Sequence, residues 1–262
     1  MNPIRLGLAR AAYEITIYFR RTDEVFFTFL FPVMMLTVFA VAFSKTTWEG
    51  GISAAEYYLP AMLAAGMFIS GTQALGIEVA TERLDGTLKR LAGTPLTPAA
   101  YFTGKLIKVL VTGIAQAALL ILVASLAFGV GLPSAPGKWI AFAWLLVLGL
   151  ITSSWLGIAL ARIPRNRKSA SAVVLPFVLI LQFISGVYLP FSALPDSLRS
   201  VASVFPLKWF AQGMRSVFLP DSYAAIEQGG AWHLGQIAVV TCAWLVVGAV
   251  ATRLTFRWIV KE

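Results

Sequence analysis

The residues of this chain that could support metal or nucleotide chemistry are few and scattered. The only histidine is His233 and the only cysteine is Cys242, whereas a zinc site draws several His, Cys or carboxylate ligands together. Gly137-Lys138-Trp139 and Gly104-Lys105-Leu106 contain the Gly-Lys pair of a P-loop, but both lack the earlier glycine and the Ser or Thr that holds Mg²⁺. We therefore expect no metal site and no bound cofactor. If ATP drives this protein, the ATP and Mg²⁺ should be bound by another chain.

Serine proteolysis within a membrane is a second chemistry to consider. Ser70-Gly71 and Ser185-Gly186 contain half of the Gly-x-Ser-Gly pattern, but Phe68 and Phe183 occupy the position of the first glycine. His233, the candidate base, is expected at the edge of an apolar segment rather than at the depth of either serine. The sequence therefore predicts a non-enzymatic protein.

Three amides lie in the middle of long apolar segments: Gln73, Gln116 and Gln182. Such amides can join helices by hydrogen bonds, or they can orient a cargo in a mostly apolar pathway. No Asp, Glu, Lys or Arg is expected in the centre of these segments, which argues against an ion-coupled carrier. The predicted pathway set consists of Met67, Phe68, Ser70, Gln73, Phe177, Gln182 and Phe183.

A charged segment follows the second apolar segment. Its turn residues, Gly86, Gly93 and Pro95, predict one short helix over 83–91. Three leucines would line one side of it: Leu84, Leu88 and Leu91. A short loop has no core of its own, so these leucines must pack either on the protein's own helices or on another protein.

The composition indicates that the candidate residues are held by membrane-embedded segments. The 262 residues are 58% hydrophobic and only 13% charged, and the mean hydropathy is +0.80. Soluble domains carry about 25% charged residues, so much of this chain must face lipid. The net charge of +9 comes from short basic tracts between apolar segments, which is atypical of nucleic-acid binding.

Six apolar segments are long enough to cross a bilayer. They are predicted at about 25–43, 57–80, 106–131, 139–161, 172–189 and 234–252. All but five of the 21 Lys and Arg residues then fall on one side; the five exceptions are Lys45, Lys138, Arg199, Lys208 and Arg215. The positive-inside rule places both termini in the cytoplasm, and we expect a multi-pass protein of the inner membrane.

Two regions outside the spans have helical periodicity. Residues 3–22 form an amphipathic helix, with Ile4, Leu8, Ala12 (or Ala11), Ile15 and Phe19 on one side and Arg10, Glu14 and Arg21 elsewhere. This helix is either a surface anchor or a lever that contacts a cytoplasmic partner. Between spans five and six, prolines delimit two short helices at the outer leaflet, interfacial or re-entrant, with apolar faces at Leu198, Val201, Val204 and Phe205, and at Leu207, Phe210, Met214 and Val217.

The order of these features resembles a known family. The pattern comprises the amphipathic helix, six spans, the Glu82-Arg83-x-x-Gly86-Thr87 loop with Thr94-Pro95, the Arg165-Asn166-x-x-x-Ala170 tract, and Ser185-Gly186-x-Tyr188-x-Pro190. It is similar to the ABC-2 type permeases, the membrane subunits of ATP-driven exporters, and most similar to their daunorubicin-type drug-resistance branch. This chain differs in having Lys89 and Arg90 where acidic residues are common.

The resemblance implies a single all-α domain over 1–262 that exports a drug-like, antibiotic or lipophilic compound. It implies two copies of an ATP-binding subunit, a second permease chain as homodimer or related heterodimer, and contact with membrane lipid. The ATPase-coupling residues would be Glu82, Arg83, Leu84, Gly86, Thr87, Leu88 and Leu91, and spans two and five would line the conduit. A lipid-linked glycan exporter of the same fold and a non-transporting scaffold are the alternatives.

Overall fold

Every regular element in the described part of the chain is helical. The computed structural model describes residues 3–46 and 48–256, so Arg257 and Lys261, counted above as cytoplasmic charges, lie outside it. Six helices can span a membrane: α2 (Thr22–Ala42), α3 (Ala54–Leu84), α5 (Pro98–Phe128), α6 (Pro136–Leu160), α7 (Arg167–Ile184) and α10 (Leu234–Thr255). The others are α1 (Pro3–Arg20), α4 (Thr87–Ala92), α8 (Asp196–Val204) and α9 (Pro206–Phe218). The predicted six-span, all-α architecture is confirmed.

Two spans begin earlier than hydropathy predicts because polar side chains cap them. Helix α5 begins at Pro98, about two turns before the predicted position 106, and the Thr97 hydroxyl accepts the Ala100 N–H at 3.2 Å. Helix α7 begins at Arg167 rather than at 172. It is capped by Asn166, whose side-chain oxygen Oδ1 accepts the Ser169 N–H at 2.9 Å. The additional turns belong to the end of the bundle that carries the termini.

Helix α3 contains a π-helical turn at Ile69–Ala74, where it crosses α6. The Thr72 hydroxyl donates to the Ser153 carbonyl at 3.0 Å, and the Gly71 backbone lies directly against Gly157. The small residues of α6 at positions 149, 153 and 157 therefore form the face that packs against α3. The side of α3 that meets α6 carries Gly71 and Gly76, whereas Ala74 is exposed.

Helix α1 packs along the first turns of α5. Its buried side consists of Gly7, Ala11, Glu14 and Tyr18, with Gly7 directly against Thr103. The sequence pattern places Glu14 off the apolar stripe but does not predict its burial: only 4% of Glu14 is exposed. Of the apolar stripe, Leu8, Ala12 and Phe19 are exposed, where lipid would cover them, whereas Ala11 is buried.

The two helices between spans five and six differ in their packing. Helix α9 is buried on all sides over residues 206–217 and lies between α3, α6 and α10, as a re-entrant element does. Helix α8 exposes the apolar side chains Leu198, Val201 and Val204, as an interfacial helix does. The two helices therefore differ in burial, and the alternatives of an interfacial and a re-entrant helix remain predictions.

Helix α9 buries Lys208, which is 1% exposed. Its ammonium donates to the Gln212 Oε1 at 2.6 Å and lies 3.6 Å from the centre of the Trp209 ring. No carboxylate within the described ranges pairs with it, because Glu227 binds Arg215 instead, with Arg215 Nη2 to Glu227 Oε2 at 3.2 Å. Burial lowers the pKa of Lys208 to about 8.

This lowered pKa predicts a pH-dependent stability. Between about pH 8 and 10.5 the unfolded chain binds more protons at Lys208 than the folded chain, so stability should rise with pH across that window. The melting temperature, compared with that of Lys208→Met at each pH, should rise by about 4–8 °C from pH 7.5 to 9.5, the change that ~2 kcal/mol produces at this length. Arg215 and Glu227 are present in the wild type and in Lys208→Met alike, so their titration cancels in the comparison. If the melting temperatures of the two proteins change in parallel with pH, the prediction is contradicted.

Candidate functional site

The segment after span two is not the single helix predicted over 83–91. Helix α3 continues to Leu84, a turn follows at Asp85 and Gly86, and α4 begins at Thr87. Gly86 has φ of +79°, a left-handed conformation that ends α3 and that glycine adopts without strain. The Asp85 carboxylate accepts the Thr87 N–H at 2.9 Å and so begins the next helix.

The leucines of this segment pack on the protein's own bundle. Leu88 is 2% exposed and lines a small cavity together with Val79 of α3 and Ile158 of α6, whereas Leu84 and Leu91 are half-buried. Self-packing, one of the two alternatives drawn from the sequence, therefore accounts for Leu88. What α4 presents outward is its pair of exposed charges, Lys89 and Arg90.

Two charged residues of the predicted coupling set fix this segment to the bundle. Arg83 donates to the carbonyl oxygen of Pro164, in the loop after span four. The Glu82 carboxylate accepts from the Tyr101 hydroxyl at 2.5 Å and from the Lys105 ammonium at 2.6 Å, both on α5. The end of span two is thus held on two sides, by span three and by the loop between spans four and five.

Lys105 is the centre of a buried ion cluster, defined here as Arg10, Glu14, Glu78, Glu82, Lys105 and Lys108. The Lys105 side chain has no exposed surface, and its ammonium lies 2.8 Å from the Glu14 Oε1, 2.8 Å from the Glu78 Oε1 and 2.6 Å from the Glu82 Oε1. Three helices, α1, α3 and α5, therefore meet at one nitrogen atom.

The remaining cations complete the charge balance of the ion cluster. Lys108 pairs with the second oxygen of Glu78, and Arg10 lies 2.5 Å from the Glu14 carboxylate and 4.0 Å from that of Glu82. The cluster thus holds as many positive as negative groups, which buried ions require.

The ion cluster also contains a possible metal-ligand set. The carboxylate oxygens of Glu14, Glu78 and Glu82 lie within 4.8 Å of one another, but the Lys105 ammonium already bonds all three. These carboxylates therefore bind an ammonium group, and the arrangement joins helices rather than coordinating an ion. Sequence reasoning missed the cluster, although Glu78 and Glu82 (i, i+4) and Lys105 and Lys108 (i, i+3) each share one helix face.

Part of the predicted pathway set lies in the packed interior. Met67, Phe68 and Ser70 are buried, and the Ser70 hydroxyl donates to the Gln116 Oε1 at 3.1 Å. Gln116 in turn donates to the Thr28 carbonyl at 2.7 Å, so this amide joins spans one, two and three. The interhelical bonding that the sequence allowed for these amides is present at Gln116.

The other four pathway residues do not meet in a single wall of this chain. Gln182 is 1% exposed and accepts the hydroxyl of Tyr188, while the next residue, Phe183, is 51% exposed. Phe177 is half-buried against Phe205, with ring centres 6.2 Å apart. Gln73 is half-buried within the π-helical turn. Of the two pathway amides, Gln73 has the greater accessible surface.

The comparison with known families agrees with this architecture. The model of the ABC-2 family transporter protein matches residues 46–256, which includes spans two to six and the loop helix α4. This chain belongs to the ABC-2 transporter family. The resemblance drawn from the sequence is therefore confirmed, and the membership covers the segment that contains Glu82, Arg83 and α4.

Several curated ABC-2 permeases are similar to this chain. The probable multidrug ABC transporter permease YbhR of Escherichia coli K12 is 24% identical over 185 residues, which is 71% of this chain and 50% of YbhR. YbhS of the same strain, also named a probable multidrug ABC transporter permease, is 25% identical over 74% of this chain and 48% of its own length. The putative transport permease YvfS of Bacillus subtilis 168 is 23% identical over 64% and 65%. The chain spans about half the length of the two E. coli relatives.

Proposed function

We propose that this ABC-2 family member is the membrane-spanning subunit of an ATP-driven exporter that moves a drug-like, antibiotic or other lipophilic compound out of the cell. Family membership and the names of its relatives support transport. The observation that carries the ATP-driven part is the geometry of α4: Leu88 fixes the helix to the bundle, while Lys89 and Arg90 point away from it. A short helix that is attached rigidly to span two and presents exposed charges is suited to dock a second protein.

The proposed assembly has two permease chains and two ATP-binding subunits, which bind ATP and Mg²⁺. Large apolar side chains are exposed along α2, α7 and α10, among them Phe27, Ile180 and Val246. Lipid can cover such surfaces, and a second permease chain can cover part of them. The excess of Lys and Arg on the side of both termini supports an orientation with that side, and therefore α4, in the cytoplasm.

The coupling role is tested by reversing the exposed charges of α4. In membranes that contain this chain with its ATP-binding subunit, Lys89→Glu with Arg90→Glu should lower the stimulation of ATP hydrolysis at least tenfold. The amount of folded permease should stay unchanged, because both side chains are exposed. The double substitution of Leu84 and Leu88 by Asp is unsuitable for this purpose, since it would place a charge in the buried position of Leu88.

A matched control variant distinguishes a coupling role of α4 from one of α1. Arg5→Glu with Arg20→Glu reverses two charges on the same side, at exposed positions of α1, and should leave the stimulation intact. If this variant uncouples the ATPase and the α4 variant does not, the contact is made by the N-terminal helix and the role proposed for α4 is wrong.

The export route is tested at Gln73. We expect Gln73→Leu to change the relative resistance to several compounds by severalfold, because this amide is accessible and in the middle of span two, while the amount of assembled complex stays the same. Gln116→Leu is the packing control, because both of its hydrogen bonds are internal; it should lower all resistances together, in proportion to lost protein. A uniform loss for Gln73→Leu would show that Gln73 also serves packing.

A further inference from the structure

A groove of about 640 Å³ lies between the end of α10 and the start of α5, with α6 at its floor. Its lining includes Phe102 and Leu106 of α5, Trp155 of α6, and Ala249 and Arg253 of α10. Its volume is in the range of sites that hold small molecules or single lipid chains, about 300–1,000 Å³.

The groove extends from the level of the helix ends into the apolar part of the bundle. Pro98 is the first residue of α5 and Leu106 is eight residues further on, a rise of about 12 Å. A hydrocarbon core is about 30 Å thick, so the groove lies within one leaflet, on the side of the termini.

Aromatic rings and one cation define its chemistry. Phe102 lies 5.5 Å from Trp155 and 4.7 Å from Phe256 between ring centres. The hydroxyl of Thr252 bonds the Trp155 carbonyl at 3.5 Å, so it is already used within the protein. Arg253 is the one charged residue of the lining, is exposed, and pairs with no carboxylate in the described part of the chain.

We propose that this groove binds one anionic phospholipid, with an acyl chain between α5 and α10 and its phosphate on Arg253. The apolar lining matches an acyl chain, and the exposed guanidinium of Arg253 matches a phosphate in charge and hydrogen-bonding geometry. Its position within one leaflet places the phosphate at the depth of lipid headgroups. Anionic lipids are attracted to basic residues near the membrane surface, so the site selects for headgroup charge.

The test uses the full chain, purified in mild detergent, and native mass spectrometry with added phosphatidylglycerol or phosphatidylcholine. The wild-type chain should retain one phosphatidylglycerol molecule. Ala249→Phe fills the groove and should reduce retention at least tenfold. Val250→Phe adds the same ring at the neighbouring position, which is 50% exposed and outside the groove, and should retain the lipid.

The headgroup claim has its own pair of variants. Arg253→Gln should lower retention of phosphatidylglycerol to that of phosphatidylcholine, while Arg253→Lys should keep a preference for the anionic lipid. Thermal unfolding of each variant confirms that the chain is folded, and Arg253→Gln tests the proposal even if Ala249→Phe fails to fold.

Three results would overturn the proposal: equal retention by Ala249→Phe and Val250→Phe, equal retention of both lipids by the wild-type chain, or strong lipid binding that appears only when residues 257–262 are removed. The last result would mean that the chain's own terminus fills the groove. None of these measurements requires ATP or transport, so they are independent of the exporter function proposed above.

Discussion

Replacing Lys105 by methionine is expected to remove most of the folded protein from the membrane. The Lys105 ammonium bonds three carboxylates and is fully buried, so the substitution leaves the ion cluster with one uncompensated negative charge. Removing one partner from a buried ion group typically costs about 3–5 kcal/mol, a large fraction of a usual folding free energy. The measurement is the yield of monodisperse protein and its melting temperature in detergent.

The matched control is Lys89→Met, which removes the same charge from an exposed position of α4 and should change stability by less than about 0.5 kcal/mol. Adding Glu14→Gln to Lys105→Met restores the charge balance of the ion cluster, and we expect it to recover part of the lost yield. If Lys105→Met melts within 2 °C of the wild type (about 1 kcal/mol or less at this length), the cluster does not stabilise the fold.

Gly157→Ala should be nearly as damaging, although it adds a single methyl group. A Cβ at this position would lie 2.3 Å from the Gly71 carbonyl oxygen and 2.9 Å from the Thr72 carbonyl oxygen. Both atoms belong to the backbone of the π-helical turn and cannot rotate away as a side chain would. Overpacking of a tight contact costs about 1–3 kcal/mol, and here the two spans must also separate.

Gly137→Ala is the control for this prediction, because it changes the same helix at a position where a Cβ meets nothing within 4 Å. It should melt with the wild type, whereas Gly157→Ala should melt several degrees lower. Equal melting temperatures for the two variants would mean that α3 and α6 are not held as closely as their backbones indicate.

The spans could be predicted from sequence because the bilayer fixes their length and their apolar composition. The hydropathy pattern does not predict the start of α5, because its first two turns contain Lys105, which lowers the local hydropathy but is neutralised by carboxylates of α1 and α3. For a related reason, the sequence pattern of α1 does not predict the burial of Glu14. A single helix taken alone gives no sign that a cation on another helix compensates its carboxylate.

The loop after span two shows a different limit. Gly86 is a turn-forming residue, yet the predicted helix over 83–91 includes it. In the structure it lies at the break between α3 and α4. A left-handed residue at the end of α3 is a local backbone property that the three-leucine pattern conceals. The sequence allows Leu88 to pack either on the protein's own helices or on a partner, and only the tertiary structure shows that it is buried against its own bundle.

The ion cluster also has a consequence for the order in which the protein assembles. All three of its carboxylates precede Lys105 in the chain, and the position of Glu14 is made roughly 5–18 s before that of Lys105 at ~5–20 residues per second. During that interval α1 has only Arg10 to balance its carboxylate and lacks the surface of α5 on which it packs. Helix α1 therefore cannot complete its packing until α5 has been made, and the arrival of Lys105 in the membrane completes the ion cluster.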